Sequence, residues 1–91
     1  MRFVWDPEKA VANVRKHGVT FEEATTAFGD PLAFVATDTL DFDRRLLVGE
    51  TVTAKLLVTV FTETSSEVVR IISARRATKH ERRRYESGEE S

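Results

Sequence analysis

The sequence lacks cysteine and long apolar runs, and both absences narrow the possible functions. Without cysteine, the 91-residue chain forms neither a disulfide framework nor a thiolate metal site. No apolar stretch approaches the roughly 18 residues of a membrane span, and the first residues lack the charged start and apolar stretch of a secretory signal. We therefore expect a cytoplasmic protein that does not act at a membrane.

Glycine and histidine are also scarce, which argues against two classes of enzyme. The four glycines form nothing like the loop that cradles a nucleotide phosphate. The two histidines, His17 and His80, are 63 positions apart and have no carboxylate motif beside them, so a zinc site is poorly supported. We expect no metal ion and no other cofactor.

The first third of the chain predicts a strand followed by two helices. Phe3 begins a short apolar run, after which Asp6 and Pro7 form a helix start and Gly18 forms a stop. The first helix is therefore predicted from Pro7 to His17, with Ala10, Val11 and Val14 at helical spacing. A capping-box pair at Thr20 and Glu23 begins a second helix, which ends at Gly29.

The pattern then changes to period two, which predicts four strands at residues 33–37, 44–50, 54–62 and 67–75. A final basic helix, 78–86, has only a thin apolar stripe. We expect an α+β fold in the order β-α-α-β-β-β-β-α, with an antiparallel twisted sheet, the helices on one face and the other face left partly polar. Residues 1–86 would form one domain and residues 87–91 a disordered tail.

Charge is distributed unevenly, although the net charge is only -1. Residues 1–69 carry 7 basic and 11 acidic side chains, whereas residues 70–91 carry 7 basic and 4 acidic ones. All seven of the latter basic residues fall between Arg70 and Tyr85, with Glu81 as their sole acidic companion. A local basic surface attracts phosphate even on a neutral molecule, whereas the alternative is a solvated charged helix.

Arg75 and Arg76 are the leading phosphate-binding candidates, because a planar guanidinium matches two phosphate oxygens and stays charged. Their place between a strand and a helix puts them at an accessible edge. The alternative is that either arginine is a structural clamp on the acidic middle of the chain, residues 20–67, which carries nine acidic and three basic side chains. Adjacent strand residues face opposite sides, so both can hold one phosphate only if the strand twists or bulges there.

RNA carries its own nucleophile, the 2′-hydroxyl, so its cleavage requires a proton acceptor and cations rather than a metal. His17 is the acid/base candidate, beside Lys16 at a helix end; the alternative is a histidine that caps the helix. Further RNA contacts are predicted for Lys16, for several basic side chains of the C-terminal segment and for one aromatic ring there: Arg70, Lys79, His80, Arg82, Arg83 and Tyr85.

Two segments together form a specific pattern. The first contains WDP at 5–7, Lys9, Asn13, KHGV at 16–19 and FEEA at 21–24, and the second is IISARRA at 71–77. Together they resemble the BrnT family of toxins over nearly the whole chain.

The resemblance implies a RelE-like fold and a toxin that halts growth by cleaving RNA. It also implies neutralisation by a BrnA-like antitoxin with a ribbon-helix-helix part, and repression of operator DNA by the complex of the two proteins. His17, Arg75 and Arg76 fall within the family's motifs as catalytic candidates, with Lys16 and Asn13 as supporting positions. The alternatives are a non-catalytic nucleic-acid or antitoxin-binding module of a repressor complex, and a structural domain whose charges are all solvated.

Overall fold

A computed structural model describes residues 1–88, and its elements follow the predicted order. They are β1 (Arg2–Val4), α1 (Pro7–His17), α2 (Phe21–Thr26), a 3-10 turn (Ala27–Gly29), β2 (Phe34–Thr37), β3 (Arg45–Glu50), β4 (Leu56–Glu63), β5 (Val68–Arg76) and α3 (Lys79–Ser87). Ser87 and Gly88 close α3 instead of belonging to a tail, and residues 89–91 lie outside the described residues. Within residues 1–88, no helix has the length and apolar character needed to cross a membrane.

The helices begin and end where the sequence places their caps. The Asp6 carboxylate accepts a hydrogen bond from the Glu8 amide at 2.9 Å, and Gly18 ends α1 in the left-handed conformation with φ 68°. Thr20 forms a complete capping box at the start of α2, and Thr78 forms another at the start of α3. Local hydrogen bonds therefore fix these three starts.

The five strands form one sheet in the order β1-β5-β4-β3-β2. Strands β2 to β5 make the predicted antiparallel meander, and β1 adds a parallel partner to β5, so the complete sheet is mixed. β1 pairs only with Val68 to Arg70, which leaves the second half of β5 without a neighbouring strand on that side. This free edge of β5 lies against α1.

Helices cover both faces of the sheet. On one face, Ala10 of α1 packs against a core that α2 and the sheet share, which consists of Val19, Phe21, Ala24, Leu57, Ile71 and Ala74. The prediction of two N-terminal helices on one face is confirmed. On the opposite face, Ala77 and Tyr85 pack against Phe34, Val48, Leu56 and Val58. The expectation that all helices share one face is therefore wrong for α3, which covers part of the second face.

A β-bulge interrupts the last strand. Phe61 of β4 lies opposite Ile71, but the preceding residue Val60 lies opposite Ser73, so Ile72 has no partner on β4. Because one extra residue reverses the alternation of side chains, each residue after Ile72 faces the side opposite to the one that strict alternation along the strand predicts. Ala74 consequently joins the α2 side of the core, where it is fully buried.

Asn13 attaches α1 to the free edge of β5. Its amide nitrogen donates to the Ala74 carbonyl at 2.8 Å and to the Val19 carbonyl at 2.9 Å, and its amide oxygen accepts from the Ala74 N–H at 3.1 Å. The side chain therefore satisfies the backbone groups that a sixth strand would otherwise pair with. Asn13 is buried, whereas Val11 and Val14 are 55% and 44% exposed, so α1 does not use its valines as a core face.

Candidate active site

Arg75 is held by an internal ion pair. Its Nη1 and Nη2 atoms donate to the Glu81 carboxylate at 2.8 and 2.9 Å, and Nη1 also donates to the Arg76 carbonyl at 3.2 Å. The hydrogen bond from Arg75 lowers the pKa of Glu81 to about 2, and the same contact raises the pKa of Arg75. Arg75 thus forms a structural ion pair, but its partner belongs to α3 and not to the acidic middle of the chain. This pair connects the end of β5 to the first turn of α3.

The Arg75–Glu81 pair predicts a dependence of stability on pH. Since folding lowers the pKa of Glu81 from 4.5 to about 2, the pair stabilises the fold above pH 4.5, and that stabilisation is lost as the pH falls towards 2. We expect Glu81→Gln to lower stability at neutral pH and to reduce the loss between these two pH values. Urea unfolding of both proteins across that range measures the difference.

The matched control for this prediction is Glu86→Gln. Glu86 is exposed, and its ion pair with Arg82 is long, at 3.9 Å, so it should contribute little to stability. This variant should keep the pH dependence of the unsubstituted protein. If Glu81→Gln and Glu86→Gln lost stability to the same extent as the pH falls, the ion pair would not be the cause.

Arg76 faces the other side of the sheet. It lies opposite Leu57 on β4, whereas Arg75 lies opposite Val58, and these two partners belong to the cores on opposite faces. The Arg76 side chain is exposed, and no carboxylate of residues 1–88 forms an ion pair with it. The bulge lies before the two arginines, so it does not bring them onto one face.

His17 lies in a shallow cleft between α1 and the bulged edge of β5. The cleft has a volume of about 260 Å³, and its lining residues are Lys9, Ala12, Asn13, Lys16, His17, Ile72 and Ser73. None of these residues is acidic. The His17 ring is half-buried and forms no hydrogen bond within residues 1–88, so it does not act as a cap there. A basic cleft with an available imidazole suits proton transfer next to an anion.

The remaining predicted RNA contacts lie away from this cleft. Lys79, His80, Arg82 and Arg83 are exposed on α3, and Arg70 is exposed on β5 between Thr62 and Val4. By strand alternation, Arg70 faces away from α1, because its neighbours Val69 and Ile71 are in the α2-side core. None of these cations lines the cleft that contains His17.

Tyr85 has a structural contact instead of a free ring. Its hydroxyl donates to the Asp30 carboxylate at 2.6 Å, and its ring packs with the α3-side core. Burial and this hydrogen bond raise the pKa of Tyr85 to about 12. Burial alone would raise the pKa of Asp30, but hydrogen bonds from Tyr85 and from the amides of Glu50 and Leu32 lower it. The contact anchors the end of α3 at the turn before β2.

His17 and Lys16 thus lie together in the cleft, and Arg76 lies outside it at the end of β5. Arg75 is paired with Glu81 of α3. Sequence reasoning gave no role in the site to Lys9 or Ser73, which also line the cleft. The spacing of Lys9, Asn13 and Lys16 at i, i+4 and i+7 was an available signal, because these positions share one helical face. The position of Ser73 depends on the bulge, which the strand pattern does not show.

Comparisons with known proteins agree on one family. The family model described as "Ribonuclease toxin, BrnT, of type II toxin-antitoxin system" matches residues 5–81. The 1.1 Å crystal structure of the Brucella abortus ribonuclease toxin, BrnT, is similar to this chain with a TM-score of 0.71 and 27% sequence identity, over 87% of this chain and 99% of that chain. No curated protein matches the sequence.

Proposed function

Because the chain belongs to the BrnT family of ribonuclease toxins of type II toxin-antitoxin systems, we propose that it is an endoribonuclease that works without a metal ion. The observation that carries the proposal is the half-buried His17 beside Lys16, in a cleft with no acidic lining residue. RNA contributes the nucleophile, so the protein has only to accept a proton and to stabilise the phosphate.

The proposed reaction is an internal transfer at one phosphodiester. The imidazole of His17 accepts the proton of the 2′-hydroxyl while the 2′ oxygen forms a bond to phosphorus. The bond from phosphorus to the 5′ oxygen then breaks, that oxygen takes a proton from a water molecule, and the hydroxide so formed recovers the proton held by His17. The products carry a 2′,3′-cyclic phosphate and a 5′-hydroxyl. Lys16 stabilises the charge that develops on the phosphate oxygens.

The two arginines have different roles in this proposal. Arg76 is exposed and has no ion-pair partner among the described residues, so its guanidinium is available to the RNA backbone beyond the cleft. Arg75 has both terminal nitrogens committed to Glu81, and it contributes by holding α3 on the sheet. The cations of α3 would contact RNA farther from the cleaved bond.

Incubation of the purified protein with RNA in the presence of a chelator tests the activity. We expect fragments with 2′,3′-cyclic phosphate ends, and we expect RNA whose 2′-hydroxyls are methylated to stay intact. In cells, induced expression should stop growth, and Arg76→Ala should relieve that effect. Intact RNA after incubation with folded protein would contradict the proposed enzyme.

We also propose that a BrnA-like antitoxin neutralises the protein and that the complex binds operator DNA. The support is the family's description as a type II system, in which a protein antitoxin is the partner. Coexpression with the neighbouring reading frame should restore growth. A neighbouring product that neither restores growth nor copurifies with the toxin would contradict this pairing.

The second candidate is a non-catalytic module that grips nucleic acid within a repressor complex. It is favoured by the exposed cations of α3, together with the internal ion pair that occupies Arg75. In that case the purified protein would bind RNA and DNA alike through backbone charge. The chelator experiment separates the two candidates, because the module leaves RNA uncut.

A further inference from the structure

Lys9 extends the basic lining of the cleft along α1. Lys9 and Lys16 are seven residues apart, so they lie on the same helical face about 10 Å from each other along the axis. Both line the cleft that contains His17. The cleft therefore has one cation beside the histidine and a second one two turns away.

Neither of these lysines is neutralised within the described part of the chain. No ion pair of residues 1–88 involves Lys9 or Lys16, in contrast to Lys55, whose Nζ atom is 3.0 Å from Glu23. No lining residue of the cleft is acidic. A concave surface with two available ammonium groups and no carboxylate attracts an anion with more than one charged group.

The floor of the cleft is rigid and suits a chain of phosphates and sugars. Asn13 makes two hydrogen bonds with Ala74 of β5 and a third with Val19, so α1, which carries Lys9 and Lys16, is fixed beside the bulge. The volume of about 260 Å³ is below the range of roughly 300 to 1,000 Å³ that encloses a small-molecule ligand. No phenylalanine, tyrosine or tryptophan lines the cleft, so the imidazole of His17 is the one ring of its lining on which a base could stack.

We propose that single-stranded RNA runs along α1 through this cleft, with Lys9 contacting a phosphate away from the cleaved bond. Lys16 and His17 face the reacting phosphodiester, and the Ser73 hydroxyl, which has no hydrogen bond within residues 1–88, lies beside the same path. Lys9 is thus a positioning residue that recognises the backbone without reading the bases. The assignment of the reacting end to His17 rests on the proposed function, whereas the binding path does not.

The dependence of binding on salt tests this path with a short single-stranded RNA whose 2′-hydroxyls are methylated, so that no cleavage interferes. Each phosphate contact contributes about 0.7 to the slope of log affinity against log salt for a single strand. We expect Lys9→Gln to reduce the slope by about 0.7 and Lys9→Arg to restore it. With cleavable RNA, Lys9→Gln should raise KM and leave kcat unchanged.

The matched control is Arg15→Gln, which removes one positive charge from an exposed position of the same helix outside the cleft. It should leave the slope unchanged. An equal loss in Arg15→Gln, or no loss in Lys9→Gln, would overturn the path along α1. If the unsubstituted protein failed to cut RNA while the slope still depended on Lys9, the proposed function would fail and the binding path would stand.

Discussion

Replacement of His17 by alanine is expected to slow RNA cleavage about 100- to 10,000-fold, the range for loss of a positioned general base. His17 is the histidine that lies half-buried in a cleft, whereas His80 is exposed on α3 on the far side of the sheet. Because the ring of His17 has no hydrogen bond within residues 1–88, its loss should hardly change stability. The rate is measured on a labelled RNA in chelator, and stability is measured by thermal unfolding.

His80→Ala is the comparison that makes this prediction specific. If the larger loss occurred in His80→Ala, proton transfer would belong to α3 and the cleft would lose its role. The dependence of rate on pH gives a second readout, because removal of the general base should change its shape. An unchanged pH profile in His17→Ala would contradict the assignment even if the rate fell.

The elements of the fold were predictable because their boundaries are encoded locally. Asp6, Pro7 and Gly18 define α1, and the capping boxes that begin at Thr20 and Thr78 define the starts of α2 and α3. Each signal consists of hydrogen bonds between residues close in sequence, so no knowledge of the tertiary structure is needed. The four antiparallel strands were predictable from the alternation of apolar side chains, which is also a signal local in sequence.

The faces of β5 were not predictable, because the bulge depends on pairing with another strand. Strict alternation along β5 would place Arg75 on the same face of the sheet as Val69 and Ile71. Because Ile72 is unpaired, Arg75 faces the α3 side and Arg76 faces the α2 side. The sequence around Ile72 contains no glycine or proline that marks a bulge. The face of the sheet that each of the two arginines takes thus became visible only in the structure.

The attachment of α3 escaped prediction because it is mostly polar. The apolar stripe of this helix is thin, and none of its residues is buried. Two contacts compensate: the Arg75–Glu81 pair at its start, and the hydrogen bond from Tyr85 to Asp30 at its end. Tyr85 and Asp30 are 55 positions apart, and no local pattern relates a tyrosine to an aspartate at that distance.

Replacement of Asn13 by alanine is expected to destabilise the fold by about 2 to 4 kcal/mol, because it leaves buried backbone groups without partners. The variant removes three hydrogen bonds at once, two to Ala74 and one to Val19, at a side chain that is 5% exposed. An exposed asparagine on a helix would contribute far less. Urea unfolding at neutral pH gives the difference in free energy of unfolding.

Arg15→Ala is the control for general effects of substitution in α1, since Arg15 is exposed on the same helix. It should change stability by less than about 0.5 kcal/mol. A similarly small effect of Asn13→Ala would mean that water or a shifted backbone replaces the amide.

Because Asn13 also fixes the distance between α1 and the bulge, the variant that still folds should cleave RNA more slowly, although Asn13 performs no chemistry. In this fold, one buried amide both pairs with the open edge of β5 and fixes α1 beside the cleft that contains His17.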